Sequence, residues 1–146
     1  MKVFLDTNVV VDFLGERDPF FQDAAKIFEL WRKEEIRLSL SVLTIVNCAY
    51  ILHKAYSKET MLDKIKWLCG SFEIAPIDVS TIVGAVDLGE KDFEDSVQYL
   101  SASSIHSDVI ITRDKKGFAN ADIPVMTPAE FLERSRQQRN KYQKKS

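Results

Sequence analysis

Short apolar runs alternate with longer segments of helical periodicity along almost the whole chain. The apolar runs predict strands over residues 2–5, 36–40, 72–77, 109–112 and 124–127. The segments between them predict helices over residues 7–14, 20–34, 42–56, 58–69, 79–88 and 92–105, with a last helix beginning at Pro128. Because strands and helices alternate along the chain, we expect a three-layer α/β/α sandwich around a mainly parallel sheet of about five strands.

Charge is distributed unevenly between the body of the chain and its last residues. The 146 residues carry 20 Lys and Arg against 22 Asp and Glu, and this net charge of −2 argues against a protein that coats nucleic acid. Six of the basic residues and none of the acids lie after position 133. We therefore expect one acidic domain over residues 1–133 and a basic tail over residues 134–146, either a helical extension or disordered.

The sequence favours a cytoplasmic chain that does not cross a membrane. The longest nearly apolar run, residues 42–52, is interrupted by Thr44 and Asn47 and is far shorter than the ~20 residues of a membrane span. Asp6 follows only three apolar residues, which is unlike a signal peptide. Cys48 and Cys69 lack the spacing of a disulfide framework or a zinc site, so we expect two core thiols in a reducing cytoplasm.

Two acids follow predicted strands closely. Asp6 comes directly after the first strand, and Asp114 comes two residues after the strand that ends at Thr112. The functional crevice of a parallel α/β sheet lies at the carboxyl ends of its strands, so we expect both acids at the same edge. Asp108 precedes the strand that leads to Asp114. At roughly 20 Å from Asp114 along that strand, it belongs to the opposite edge.

A third group of acids, Asp92, Glu94 and Asp95, opens the predicted helix at residues 92–105. Asp92 suits a helix cap as well as a supporting role in a site, whereas Asp95 lies one turn in and can point across the sheet. Carboxylates gathered in this way repel one another unless a divalent cation lies between them. Oxygen ligands without a nearby His or Cys favour Mg²⁺ or Mn²⁺ over Zn²⁺, so we expect one of these two ions.

Other catalytic motifs do not account for these acids. The five glycines are too scattered for a phosphate-binding loop, and no nucleophile elbow centred on Ser is present. The segment LDTNV is similar to the phosphatases that use a nucleophilic Asp, but those need a second Asp where this chain has Asn8. A Mg²⁺-dependent phosphatase therefore stays open only as a weaker alternative.

Three segments together resemble the PIN domain family: MKVFLDTNVVVDFL at the start, DFEDSVQYLSA in the middle, and ITRDKKGF followed by IPVMTPAEFL near the end. They occur in the order of that family and span residues 1–133. The resemblance implies a five-stranded parallel α/β sandwich whose acidic crevice binds Mg²⁺ or Mn²⁺ and cleaves RNA. Many members are toxin ribonucleases of bacterial and archaeal toxin–antitoxin pairs, so it also implies an antitoxin partner and a homodimer.

The resemblance assigns the site residue by residue. Asp6 matches the acid after the first strand, Asp95 the acid of the middle motif, and Asp114 the acid after a Thr-Arg pair. Neighbouring polar residues are expected to support these acids: Thr7, Asn8, Asp92 and Thr112. Most active members also place a Glu in the helix predicted here at residues 42–56. That helix holds no acid in this chain, and Asn47 is the residue nearest to the expected position.

From this set we expect Asp6 and Asp95 to hold a first ion, and Asp114 and Asn47 to complete its shell or position a second. A water bound there attacks the scissile phosphate in line and leaves a 5′-phosphate and a 3′-hydroxyl. Basic side chains are expected to contact the RNA: Arg113, Lys115 and Lys116 beside Asp114, and Arg134 and Arg136 in the tail. The missing helix acid keeps an alternative open, a catalytically weak or inactive module that binds RNA or a protein.

Overall fold

The computed structural model describes residues 1–146 and contains five strands and seven α-helices. The strands are β1 (Lys2–Leu5), β2 (Arg37–Ser41), β3 (Glu73–Ala75), β4 (Val109–Ile111) and β5 (Val125–Met126). The helices are α1 (Thr7–Leu14), α2 (Phe21–Arg32), α3 (Val42–Leu52), α4 (Lys58–Ser71), α5 (Val79–Leu88), α6 (Phe93–Ser104) and α7 (Pro128–Lys145). A 3₁₀ turn at Lys116–Phe118 lies between β4 and β5.

The five strands form one parallel sheet in the order β3-β2-β1-β4-β5. Val3 of β1 lies opposite Leu38 of β2 on one side and Val109 of β4 on the other, so β1 is the central strand. The chain builds outward from β1 to β3 and then crosses back to add β4 and β5 on the other side. The direction of strand addition therefore reverses between β1 and β4, which is where α/β sheets open a crevice.

Alternate side chains of the strands supply a core on each face of the sheet. Val3 and Leu5 belong to the larger core, which contains residues of α1, α2, α3, α4 and α7. Phe4 and Ile110 point the other way, into a smaller core with Ala102 of α6. Helices cover both faces, and this confirms the predicted three-layer α/β/α fold.

Polar side chains fix where several helices begin. Ser41 Oγ accepts from the N–H of Thr44 at the start of α3 (3.1 Å), and Asp92 Oδ1 accepts from the N–H of Asp95 at the start of α6 (3.0 Å). Asp6 is itself the residue that precedes α1 and caps it. The capping of α1 and α6 therefore holds acidic residues at defined positions beside the sheet.

Most predicted helix and strand ends differ from the observed ones by one or two residues, and two further details differ more. Helix α3 ends at Leu52 rather than at residue 56, because the N–H groups of Lys54 and Ala55 bond to the carbonyls three residues back, of Ile51 (3.4 Å) and Leu52 (3.0 Å), instead of four. The prediction of two core thiols is wrong for Cys69, which is exposed on α4, while Cys48 is buried. None of the helices combines the length and the apolar composition that crossing a membrane requires.

The basic residues after position 133 are the continuation of α7, which runs without interruption to Lys145. The predicted boundary at residue 133 therefore falls inside this helix. Arg139 Nη2 lies 3.1 Å from Glu35 Oε2, so an ion pair ties this part of α7 to the turn between α2 and β2.

Candidate active site

An open pocket of about 320 Å³ lies at the carboxyl edge of the sheet. Its wall combines residues from the end of β1, the start of α6 and the loop after β4. Five carboxylates line it: Asp6, Asp92, Glu94, Asp95 and Asp114. The three acids assigned to the site from the sequence are thus brought to one place. Asp108 lies at the opposite edge, where its Oδ2 accepts from the N–H of Lys2 (2.7 Å).

Asp6 is held firmly at the end of β1, and only 6% of it is exposed. Its Oδ2 accepts from the hydroxyl of Thr112 (2.8 Å). Its Oδ1 accepts from the N–H of Thr7 (2.8 Å) and from Nε2 of Gln98 (3.0 Å). Three donors from three parts of the chain therefore fix this carboxylate in one orientation.

Gln98, which the sequence prediction missed, links Asp6 to α3. Its side chain, on α6, is fully buried. Its Nε2 also donates to Thr44 Oγ1 of α3 (2.8 Å), and its Oε1 accepts from the hydroxyl of Ser41. The only signal in the sequence is its place three residues after Asp95, on the same face of the helix. The amide satisfies polar groups that would otherwise be buried without partners.

Asp95 reaches the pocket from the first turn of α6. Burial, followed by the negative charges of Asp6 and the other pocket carboxylates, raises its pKa from 3.8 to about 7. The side chain fits only because Gly117 has none: a Cβ there would lie 1.8 Å from Asp95 Oδ2. Asp95 is therefore confined near other acids in a place that favours a positive counter-charge.

Asp114 lies in the exposed loop after β4. Its backbone N–H donates to Thr112 Oγ1 (3.2 Å), and its Oδ1 accepts from the N–H of Lys116 (3.1 Å). Asn8 joins the same network, since its Nδ2 donates to Thr112 Oγ1 (3.2 Å). Thr112 and Asn8 therefore lie between Asp6 and Asp114 and connect the ends of β1 and β4.

Asn47 of α3 does not line the pocket itself but contacts one of the pocket carboxylates, which belongs to α6. Its Nδ2 donates to Glu94 Oε1 (2.9 Å). Burial and the charges of Asp6 and Asp92 raise the pKa of Glu94, while the Asn47 contact lowers it. A carboxylate therefore lies beside α3 although that helix contains no acid, and α6 supplies it.

The donor set of the pocket fits a hard divalent cation, because it offers oxygen ligands and neither His nor Cys. No group of three acidic, His or Cys side chains is arranged to hold an ion directly. A divalent cation here would bind some of the carboxylates through water molecules, as Mg²⁺ commonly does. Burial, and then repulsion from the neighbouring carboxylates, raises the pKa of Asp95, and a bound cation would offset that repulsion.

Most basic residues expected to bind RNA are already paired with acids. Arg113 Nε lies 2.6 Å from Asp12 Oδ2, and its guanidinium lies 3.9 Å from the centre of the Phe20 ring. Lys115 pairs with Glu130 (2.8 Å), and Arg136 pairs with Glu133 (2.9 Å). The two other candidates, Lys116 in the 3₁₀ turn and Arg134 on α7, are exposed. The RNA contacts of all five stay predictions.

Comparison with known proteins identifies the family and the fold of the chain. A family model described as PIN domain matches residues 2–116. The chain belongs to the PIN domain family. Ribonuclease VapC1 from Aquifex aeolicus (strain VF5) is 33% identical to this PIN domain over 138 residues, which are 91% of this chain and 94% of that protein.

Two solved structures show the same fold at low sequence identity. A toxin-antitoxin complex from Klebsiella pneumoniae has a chain that matches this PIN domain with a TM-score of 0.66 and 22% identity, over 86% of this chain and 97% of that one. VapC20 from Mycobacterium tuberculosis, described as a Sarcin-Ricin loop cleaving toxin, matches with a TM-score of 0.66 and 11% identity. That match covers 80% of this chain and 93% of the other. The predicted family and fold are confirmed.

Proposed function

We propose that this PIN domain is an endoribonuclease that hydrolyses RNA phosphodiester bonds with the help of Mg²⁺ or Mn²⁺. The observation that carries the proposal is the convergence of Asp6, Asp95 and Asp114 on one pocket at the carboxyl edge of the sheet. The name of the Aquifex aeolicus relative, a ribonuclease, and the RNA target named for the Mycobacterium tuberculosis toxin support this chemistry.

The roles of the acids follow from how each is held. Asp6, fixed by three donors, and Asp95, confined beside Gly117, would hold the ion, in part through water. Asp114 lies on a more exposed loop, where it would complete the shell of that ion or position a second one. A divalent cation bound there neutralises charge on the scissile phosphate and lowers the pKa of a nearby water.

The reaction is hydrolysis by water in line with the leaving oxygen. A water oxygen bonds to phosphorus while the bond from phosphorus to the 3′-oxygen breaks, and a proton is delivered to that oxygen. The products are a 5′-phosphate and a 3′-hydroxyl. The 2′-hydroxyl takes no part in this step, so any preference for RNA over DNA comes from binding.

Glu94 compensates for the missing acid of α3. The hydrogen bond from Asn47 (2.9 Å) holds its carboxylate beside α3, so the pocket keeps an acid on that side. Asn47 then acts as a positioning residue, with its amide nitrogen engaged by Glu94 and its carbonyl oxygen left for water or an ion. This arrangement favours an active nuclease over an inactive module.

We propose further that the protein is the toxin of a toxin–antitoxin pair in the cytoplasm, because the solved neighbours include a toxin-antitoxin complex. Exposed apolar side chains on α3 and α5 support contact with protein, either a second copy of this chain or an antitoxin. They include Val46, Tyr50, Val79, Val83 and Val86.

The direct test compares Asp6→Asn with Asp108→Asn, the same change at the opposite edge of the sheet. With labelled single-stranded RNA and Mn²⁺, we expect Asp6→Asn to lower the cleavage rate by about 100-fold or more. Asp108→Asn should cleave like the wild type. Equal cleavage by Asp6→Asn and wild type would refute the site.

An RNA- or protein-binding module without catalysis is the second candidate, because no three ligands meet directly in the pocket. A Mn²⁺ titration separates the two functions, since only the nuclease needs an ion that binds at the acidic pocket. Turnover of a small phosphate ester in place of RNA would instead favour the phosphatase alternative.

A further inference from the structure

One positively charged side chain lines the acidic pocket, and the sequence did not predict it. Among the residues that line the pocket with Asp6 and Asp95, Arg17 is the only basic one. It follows α1 in the turn that leads to α2. RNA that approaches the five pocket carboxylates meets repulsion, so the position of this charge matters for substrate binding.

Arg17 is fixed in place by its backbone and its side chain. Its N–H donates to the Asp12 carbonyl (3.0 Å), and its own carbonyl accepts from the N–H groups of Phe20 (3.0 Å) and Phe21 (2.9 Å). Its Nε and Nη2 both donate to Asp12 Oδ1 (3.0 and 2.8 Å). The side chain is nevertheless 41% exposed, so its guanidinium is oriented in advance and accessible.

The charge balance around Asp12 leaves a surplus positive charge. Asp12 is 1% exposed and pairs with two guanidinium groups, Arg17 through Oδ1 and Arg113 chiefly through Oδ2. One carboxylate cannot neutralise two cations. Arg113 is directed away from the pocket and lies over Phe20, whereas Arg17 lines the pocket.

We infer that Arg17 binds a phosphate of the RNA next to the one that is cleaved, and that buried Asp12 positions it for this contact. A guanidinium suits phosphate because its donors form a planar fork, and Nη1 of Arg17 makes no contact with Asp12. The inference rests on the proposed function, and it assigns substrate binding to a residue outside the acid motifs.

The test measures RNA affinity separately from cleavage. All variants carry Asp6→Asn, so the RNA stays intact, and binding of a fluorescein-labelled single-stranded RNA is followed by anisotropy in Mg²⁺ at several salt concentrations. Arg17→Gln is compared with Arg32→Gln, which removes an arginine that also pairs with a carboxylate, Glu29, through its Nε and Nη2 but does not line the pocket. Arg17→Lys keeps the charge and loses the fork.

We expect Arg17→Gln to weaken binding about tenfold, the usual effect of losing a charged hydrogen bond. The slope of log affinity against log salt should also fall by about 0.7, the value for one contact with a single strand. Arg32→Gln should change the affinity less than about twofold on the same scale, with the slope unchanged. Arg17→Lys should retain the slope of the parent.

Equal losses for Arg17→Gln and Arg32→Gln would overturn the inference, because they would show that the position of the lost positive charge does not matter. An unchanged salt slope for Arg17→Gln, or no RNA binding by the parent, would also overturn it. Thermal unfolding establishes that the variants are folded. The proposed function is tested separately, by whether the wild-type protein cleaves RNA with Mn²⁺; if it does not, the proposed function fails.

Discussion

Asp95→Asn should stabilise the ion-free protein at neutral and alkaline pH. The pKa of Asp95 is raised from 3.8 to about 7 by burial and then by neighbouring carboxylates, so the folded protein prefers the protonated form. The unfolded chain ionises near the ordinary value. Stability is therefore fully retained below that value, falls as the pH rises towards 7, and is lowest above 7. Asparagine carries no charge and escapes this loss.

The size of the effect follows from the raised pKa and the exposure of the group. A shift from 3.8 to about 7 corresponds to roughly 4 kcal/mol for a fully buried acid. Asp95 is only half-buried, and solvent screening reduces this figure to about 1–2 kcal/mol. For a chain of this length that is roughly 2–8 °C in Tm.

Thermal unfolding in EDTA at pH 4 and pH 8 measures the effect, with Asp108→Asn as the matched control. We expect Asp95→Asn and wild type to have nearly equal Tm at pH 4, and the variant to have the clearly higher Tm at pH 8. Saturating Mn²⁺ should reverse this order at pH 8, because an ion that binds the folded state stabilises the wild type by about 2.7 kcal/mol at 100 times Kd. The same Tm difference at both pH values would refute the electrostatic argument.

Three further substitutions test other parts of the account. Gly117→Ala places a Cβ 1.8 Å from Asp95 Oδ2 and so displaces that carboxylate. We expect it to lower Mn²⁺ affinity and RNA cleavage about 10- to 100-fold. Calorimetric titration measures the affinity, and an unchanged affinity would contradict the prediction. Asp12→Asn removes the buried partner of two arginines and should lower the free energy of unfolding in urea by about 2–4 kcal/mol. A loss below about 0.5 kcal/mol would mean that the pairs behave as surface ion pairs. Glu94→Gln should weaken Mn²⁺ binding about tenfold if its carboxylate compensates for the missing acid of α3, and equal affinity would assign no such role to it.

The sequence predicts the fold well because the pattern that defines it is local. Each strand is a short apolar run and each helix has its own period, so the parallel sheet follows from their alternation. The positions of Asp6 and Asp114 follow from the same rule, since residues after parallel strands share one edge. The early end of α3 could not be predicted, because the three-residue backbone bonds of Lys54 and Ala55 have no counterpart in the sequence pattern.

The parts of the site that sequence reasoning missed depend on contacts between distant segments. Gln98 lies far from Asp6 along the chain, and its role appears only when α6 packs beside β1. The pairing of Asn47 with Glu94 needs the relative placement of α3 and α6. Arg17 lies in a turn of ordinary polar composition, and only the folded chain places it in the pocket wall.

The central claim, that the acidic pocket hydrolyses RNA with a divalent cation, is tested most directly by the ends of the cleaved RNA. Wild-type protein is incubated with a single-stranded RNA in Mn²⁺ and in EDTA, and the termini of the products are identified by mass spectrometry. The account predicts cleavage only with Mn²⁺, 5′-phosphate and 3′-hydroxyl ends, and no products with Asp6→Asn. Cleavage in EDTA, or 2′,3′-cyclic phosphate ends, would contradict it.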